Sequence, residues 1–317
     1  FTVLISMVGI SVFGLVVHRL LGREVLWAML ALASIPGIYI NSTNIMDYMW
    51  AVTCILLAFY WIAEDKYLLA GIILGIGIGV RITTGIIGLP FLYLIWHREK
   101  YQAPYWSLLY FVLISGSVAI LCYVPVLQQY GTGFFTYYFK DYASVVRMVY
   151  HLIKVFGILG VLALGIGLWG LVTRRSIAPA GESRWSTRQL QTIVTFTLIT
   201  IGLYVVAYLL FPGQAGYLLP LVPFVLLFFH MVIPASYFKT MCVLFVLSPF
   251  ALGITKGTTV HLGDLHGQLT VNGPVLLNRE HRIAREKKMK KIIKKAAHTG
   301  ESTQIVVGSY YLIFRFV

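Results

Sequence analysis

Charge is what this chain has least of. Only 11% of its 317 residues are Asp, Glu, Lys or Arg, against 59% hydrophobic residues and a mean hydropathy of +0.83. That leaves too little polar surface to cover a soluble globule of this length, which excludes a water-soluble domain. The short alternating segments of an outer-membrane barrel are missing too. Apolar residues come instead in helix-length blocks between charges and Pro/Gly turns, the pattern of spanning helices, whose backbone polar groups satisfy one another in lipid. Cysteine is scarce: Cys54, Cys122 and Cys242 show neither CxxC spacing nor a polar setting, and read as packed small residues. No repeat relates the two halves of the chain. No strand precedes Gly71, Gly75 and Gly79, so these are not a nucleotide loop; recurring every four residues, they form a close-packing seam on one helical face. Phe1 already lies inside an apolar run and Val317 ends an aromatic one, so the sequence reads as a fragment of a longer chain.

What is present are ten apolar blocks, at roughly 1–17, 25–40, 48–63, 67–80, 84–96, 106–127, 151–173, 190–211, 217–233 and 241–254. The fold class expected is an all-α polytopic membrane protein of about ten transmembrane helices over residues 1–254, followed by a basic extramembrane tail, 255–317, with a small α/β character. Blocks four and five fall short of the ~20 residues a bilayer takes. Lys66 on one flank and Arg98 and Lys100 on the other are both basic, so the two blocks form a hairpin that turns at Arg81. Carried through the chain, this alternation places ten basic residues (Arg19, Arg23, Lys66, Arg98, Lys100, Arg174, Arg175, Arg184, Arg188, Lys239) on one side and four (Arg81, Lys140, Arg147, Lys154) on the other. The excess marks the cytoplasmic side, so residues 41–47, 81–84, 128–150 and 212–217 face outward. The tail, with eleven Lys/Arg, is placed outward with them, since long translocated segments escape the charge rule.

Two charged residues sit where charge is expensive. Asp47, in INSTNIMDYMW, is open to two readings: a helix cap, its carboxylate accepting backbone N–H groups, or a carboxylate that holds a divalent cation or a phosphate-bearing ligand. Arg81 stands between two apolar segments. A guanidinium suits bidentate phosphate binding, with Thr83 and Thr84 beside it as hydroxyl donors, and snorkelling to headgroups is the alternative. Asp141, in the aromatic-rich outward segment 128–151, is a minor candidate acid; that segment reads as an interfacial amphipathic helix or a groove wall. Tyr217 opens the Pro-rich span entry YLLPLVP. His261, Asp264 and His266 (HLGDLH) have the proximity of a metal cluster, with a surface loop the favoured reading. Residues 276–298 read as a lysine-rich helix, solvated or against anionic lipid phosphates, and 303–308 as a buried strand. Asn41-Ser42-Thr43 is a glycosylation sequon close to the membrane.

HRLLGRE at 18–24, SIPGIYINSTNIMD at 34–47, KYLLAGIILGIGIGVRIT at 66–83 and YLLPLVP at 217–223, in that order and spacing, resemble the GT-C superfamily of membrane glycosyltransferases, notably protein O-mannosyltransferases and lipid A aminoarabinose transferases. The likeness covers about two thirds of the chain. Where a basic residue often precedes YLLPLLP in that class, this chain has Gln214 and Gly216. The resemblance implies a polyprenyl-phosphate sugar donor, a protein or glycolipid acceptor, an outward site at the surface of a bacterial inner membrane, and a divalent metal (Mg or Mn) as a possible cofactor. It assigns donor phosphate to Arg81, Thr83 and Thr84, and metal or donor to Asp47, with Asp141 and Tyr217 as further candidates. The family's catalytic aspartate lies in an outward loop before its second span, which would fall upstream of Phe1, so the fragment itself is expected to be inactive. Other classes read from the same residues are a transporter or flippase of a lipid-linked or anionic substrate, with Arg81 lining its path, and a noncatalytic scaffold. Nothing in the pattern calls for nucleic acid as a partner.

Overall fold

The computed structural model describes residues 1–44, 46–98, 104–131, 145–173, 187–210, 215–262 and 265–297. It divides into two units, Phe1–Val275 and Leu276–Val317.

The first unit is a helical bundle built by reversals. α1 (Thr2–Leu21) ends in Gly22, whose left-handed backbone (φ 67°) lets its N–H cap the helix on His18 O. α2 (Val25–Ser34) stops at Ile35, and α3 (Pro36–Thr43) leaves it at 66°, because Pro36 cannot donate to a continuing helix. α4 (Tyr48–Ala63) and α5 (Tyr67–Val80) form a hairpin around Glu64-Asp65-Lys66. The chain turns back at Arg81 through a 3-10 segment, Ile82–Ile87, into α6 (Gly88–Arg98). α7 (Pro104–Tyr130) then runs parallel to α5: Gly71 faces Phe111 and Ile114, Gly75 faces Ser115 and Val118, and Gly79 faces Cys122. The glycine seam read from the sequence is thus the α5–α7 interface.

α8 (Val145–Phe156) meets α9 (Ile158–Val172) at 96°, with Gly157 at the corner in a left-handed conformation (φ 73°). α10 (Thr187–Leu210) leads to a 3-10 entry, Ala215–Leu221, then α11 (Val222–Val232) and α12 (Ala235–Leu247). Phe59, Phe91, Phe196 and Phe224 gather α4, α6, α10 and α11 into one aromatic cluster, with centroids 4.9–6.3 Å apart. Leu113, Ile120 and Leu121 on α7 and Val206 and Leu210 on α10 point outward, as lipid-facing side chains do.

The expected count of ten spans is not reproduced. Among the described residues four helices are long and apolar enough to cross a membrane, Thr2–Leu21, Tyr105–Tyr130, Gln189–Leu210 and Ala215–Val232, and six if each bent pair is one span. The other apolar blocks form shorter helices, Tyr48–Ala63, Tyr67–Val80, Ile82–His97 and Ala235–Leu247, below the ~20 residues that a straight crossing takes. The α/β tail is not supported either. After α12 the chain forms an antiparallel hairpin of β1 (Ala251–Leu262) and β2 (Leu265–Asn272) within the first unit, and α13 (Pro274–Ala297) carries the chain into the second. The last apolar block, expected to run to 254, already becomes strand at Ala251. The strand expected at 303–308 lies outside the described residues.

Both ends of the bundle are identifiable. Arg19 pairs with Glu64 at 2.8 Å, and Lys239 with Glu24 at 3.0 Å, at the end where α1 and α4 finish and α2, α5 and α12 begin. At the opposite end Thr53 Oγ1 donates to Ile5 O (3.0 Å), and Ser248 Oγ, just past α12, donates to Phe156 O (2.6 Å). Asp47 and Arg81 belong to that second end.

Candidate functional site

Arg81 stands where α5 stops. Four glycines between 71 and 79 weaken the helix, and the backbone becomes extended at Arg81 (φ −148°, ψ 120°). Its N–H still bonds Gly77 O at 3.0 Å, while its carbonyl accepts Thr84 N–H at 2.9 Å to start the 3-10 segment. Tyr123 of α7 fixes the same helix end by donating to Ile78 O at 2.9 Å. The Arg81 side chain leaves this break sideways and is only 15% exposed.

Facing it is Asp47, which immediately precedes α4. The Asp47 carbonyl accepts Ala51 N–H at 3.1 Å, as an N-cap carbonyl does, but its carboxylate makes no capping bond. Arg81 Nη1 donates to both carboxylate oxygens instead, at 2.8 and 2.9 Å. Of the two readings open for Asp47, side-chain capping is not what the carboxylate does.

Two aromatic rings complete the cluster. The Arg81 guanidinium carbon lies 3.9 Å from the centroid of the Tyr48 ring and 5.2 Å from that of Tyr217. A guanidinium so placed is attracted by the negative faces of the rings. Tyr217 sits in the 3-10 entry to α11, and Gly216 packs against the Tyr48 ring with no space for a side chain. The three segments singled out in the sequence, INSTNIMD, VRIT and YLLPLVP, therefore meet at one guanidinium. That meeting was not readable from spacing, because Tyr217 is far from Arg81 along the chain.

The remaining candidates fall elsewhere. Thr84 is 2% exposed, with its methyl directed at Gly77 of α5 and its hydroxyl buried without a partner among the described residues. Thr83 is half-buried beside it. Asp141 lies outside the described residues. Asn41 of the sequon is inside α3, where its Nδ2 donates to Gly37 O at 2.7 Å. In HLGDLH, His261 and His266 are cross-strand partners flanking the hairpin turn, and Asp264 lies outside the described residues. One polar pair was missed by sequence reasoning: His151 of α8 and Tyr208 of α10, both buried, with Nδ1 2.7 Å from the phenol oxygen. His151 falls in a segment read as interfacial, and Tyr208 lies far from it along the chain, so spacing gave no sign that the two meet.

Among the described residues, no group of three or more His, Cys, Asp or Glu gathers to hold a metal. Asp47 offers one carboxylate already engaged by Arg81, and that donor set does not amount to a resident divalent-metal site. Two surface grooves, about 470 Å³ at Asp65–Leu69, Ser107 and Tyr110 and about 590 Å³ at Tyr93, Trp96, Tyr105 and Leu109, lie at the other end of the helices and include neither Asp47 nor Arg81. What the cluster can do chemically is bind an oxyanion. A guanidinium carries five N–H donors, more than one carboxylate consumes. Compared with known proteins, the chain matches no family model, no curated protein and no solved structure.

Proposed function

We propose that the chain binds the donor of a membrane glycosyltransferase reaction that moves a sugar from a polyprenyl phosphate or diphosphate to an acceptor at the membrane surface. The observation that carries this reading is the convergence of Asp47, Arg81, Tyr48 and Tyr217, contributed by three separate segments, at one end of an apolar bundle. An arginine placed there is costly unless it meets an anion, and a phosphate bound to a polyprenyl chain brings the anion and the lipid anchor together.

In the resting protein Asp47 occupies Arg81. A phosphate carries more charge than a carboxylate and matches the guanidinium fork, so it displaces Asp47, while the two tyrosine rings keep the guanidinium plane in place. As the sugar–phosphate C–O bond breaks, its electron pair stays on the phosphate, where Arg81 neutralises the growing charge, and the acceptor's oxygen or nitrogen forms the new bond to the sugar while its proton passes to the departing phosphate. The reading further puts this end of the bundle on the outer face of a bacterial inner membrane.

The test is binding of a polyprenyl phosphate to the chain in nanodiscs. Arg81→Ala removes hydrogen bonds to a charged group worth about 1.5–3 kcal/mol each, so affinity should fall at least ~10-fold, with Arg81→Lys intermediate. Asp47→Asn removes the competing anion and should tighten binding, by roughly fivefold for the ~1 kcal/mol an exposed pair is worth. Unchanged affinity in Arg81→Ala, or weaker binding in Asp47→Asn, overturns the assignment.

A further inference from the structure

α13 has a charge pattern that the donor site does not use. Between Pro274 and Ala297 it carries nine Lys/Arg against two Glu. Its described side chains from Arg279 to Lys291 are exposed on every side of the helix. Among those described side chains none is buried, so that stretch has no apolar stripe to hold it in shape. Lys287 and Lys291, Lys290 and Lys294, and Lys291 and Lys295 are like charges four residues apart, which oppose the helix, and Glu286–Lys290 is a pair of the favourable order. A surface of negative charge laid against it converts that repulsion into attraction.

The path of the chain indicates which surface is within reach. α12 starts beside the Lys239–Glu24 pair and ends at Ser248, bonded to Phe156 O at the Asp47–Arg81 end of the bundle. The hairpin leaves there and returns to the same point, with Gly273 N–H on Phe250 O and Val275 N–H on Pro249 O, each at 3.2 Å. The helix that follows therefore starts beside the finish of an apolar helix, the position a headgroup layer takes when an apolar bundle is embedded in a bilayer. With charge around its whole circumference it cannot insert, and long-range attraction to phosphate headgroups is the binding mode open to it.

We propose that α13 is a membrane-surface helix that binds the anionic phospholipid headgroups of the leaflet at which the chain leaves Val275. This does not rest on the glycosyl-transfer reading.

The experiment places the whole chain in nanodiscs of phosphatidylcholine alone and of phosphatidylcholine mixed with phosphatidylglycerol, and measures hydrogen exchange of the α13 amides. Exchange should be at least about tenfold slower in the anionic discs, and raised salt should erase the difference. Each lysine near an anionic surface contributes about fivefold to association, so replacing Lys287, Lys288, Lys290 and Lys291 with Gln should abolish the protection, whereas replacing them with Arg should keep it. Equal exchange in the two discs, protection that survives the Gln variant, or protection by a single-stranded oligonucleotide but not by phosphatidylglycerol would each overturn the proposal.

Discussion

Gly216 shows how closely the site residues are fitted. A Cβ there would fall on the Tyr48 ring, whose face holds the Arg81 guanidinium 3.9 Å away. Gly216→Ala must therefore push Tyr48 aside, and overpacking of this kind costs about 1–3 kcal/mol. The expected result is a lower melting temperature together with weaker polyprenyl-phosphate binding. Adding Tyr48→Leu, which vacates the space, should recover part of the stability but not the binding; if the double mutant is no more stable than Gly216→Ala alone, the contact is not the cause. Asp47 should behave differently. Its own side chain is 45% exposed but the guanidinium it pairs with is only 15% exposed, so Asp47→Asn leaves a mostly buried charge without its anion and should lower the melting temperature, while it tightens anion binding rather than weakening it. At this scale the sequence pointed to the two charged residues that pair and was silent on how they meet. Charge in an apolar setting singled out Asp47 and Arg81 because its cost is visible in one dimension. The ion pair between them depends on α4 and α5 returning to the same end, and the role of Gly216 depends on a ring 168 positions upstream.

Helices were the most legible level, because apolar periodicity and flanking charges report them directly. Among the described residues, the apolar blocks from the first to the ninth fall on helix apart from single-residue breaks such as Ile35 and Gly157, and Gly71, Gly75 and Gly79 form the seam their spacing announces. The bends were not legible. A block such as 151–173 reads as one span, yet Gly157 breaks it by 96°, because a single glycine inside an apolar run looks the same whether it packs against a neighbour or turns the chain. The hairpin of β1 and β2 was also missed: its mixed polar residues lack strict alternation, and two strands outside a larger sheet leave a weak pattern. Between helices in lipid, association relies on close packing of small residues, which makes the seam testable. At Gly75 a Cβ would lie 2.6 Å from Val118 Cβ and 2.8 Å from Ser115 O, whereas at Gly116 of α7 it meets nothing within 4 Å. Gly75→Ala should destabilise the protein by about 1–3 kcal/mol. Gly116→Ala should be neutral or stabilising by up to about 1 kcal/mol, since it only removes the glycine penalty in a helix. Thermal unfolding in detergent distinguishes them, and equal effects at the two positions would mean that α5 and α7 are not in contact there.

For the molecule as a whole, the helices sort the chain into two ends, and the charge count sorts it into two sides. Asn44, Asp47, Arg81 and Ser248 belong to one end of the first unit; Glu24, Glu64 and Lys239 belong to the other. Because the hairpin strands leave and return at Pro249 and Gly273, Asn272 belongs with the first group. The basic tail pulls the other way: eleven Lys/Arg beyond residue 255 would favour the cytoplasm if the positive-inside bias applied to them. Within the first unit the packing is definite: α12 is held at its start by Lys239–Glu24 and at its finish by Ser248–Phe156, so the chain enters the hairpin at the Asp47–Arg81 end. Single cysteines placed at Asn44, Asp65, Ser236 and Asn272, in a background with Cys54, Cys122 and Cys242 replaced by serine, should divide in labelling by a membrane-impermeant maleimide. Positions 44 and 272 should react from one side and 65 and 236 from the other. If position 272 reacts together with 65, α12 does not carry the chain across, the tail lies opposite the Asp47–Arg81 cluster, and the leaflet assigned to α13 is the wrong one.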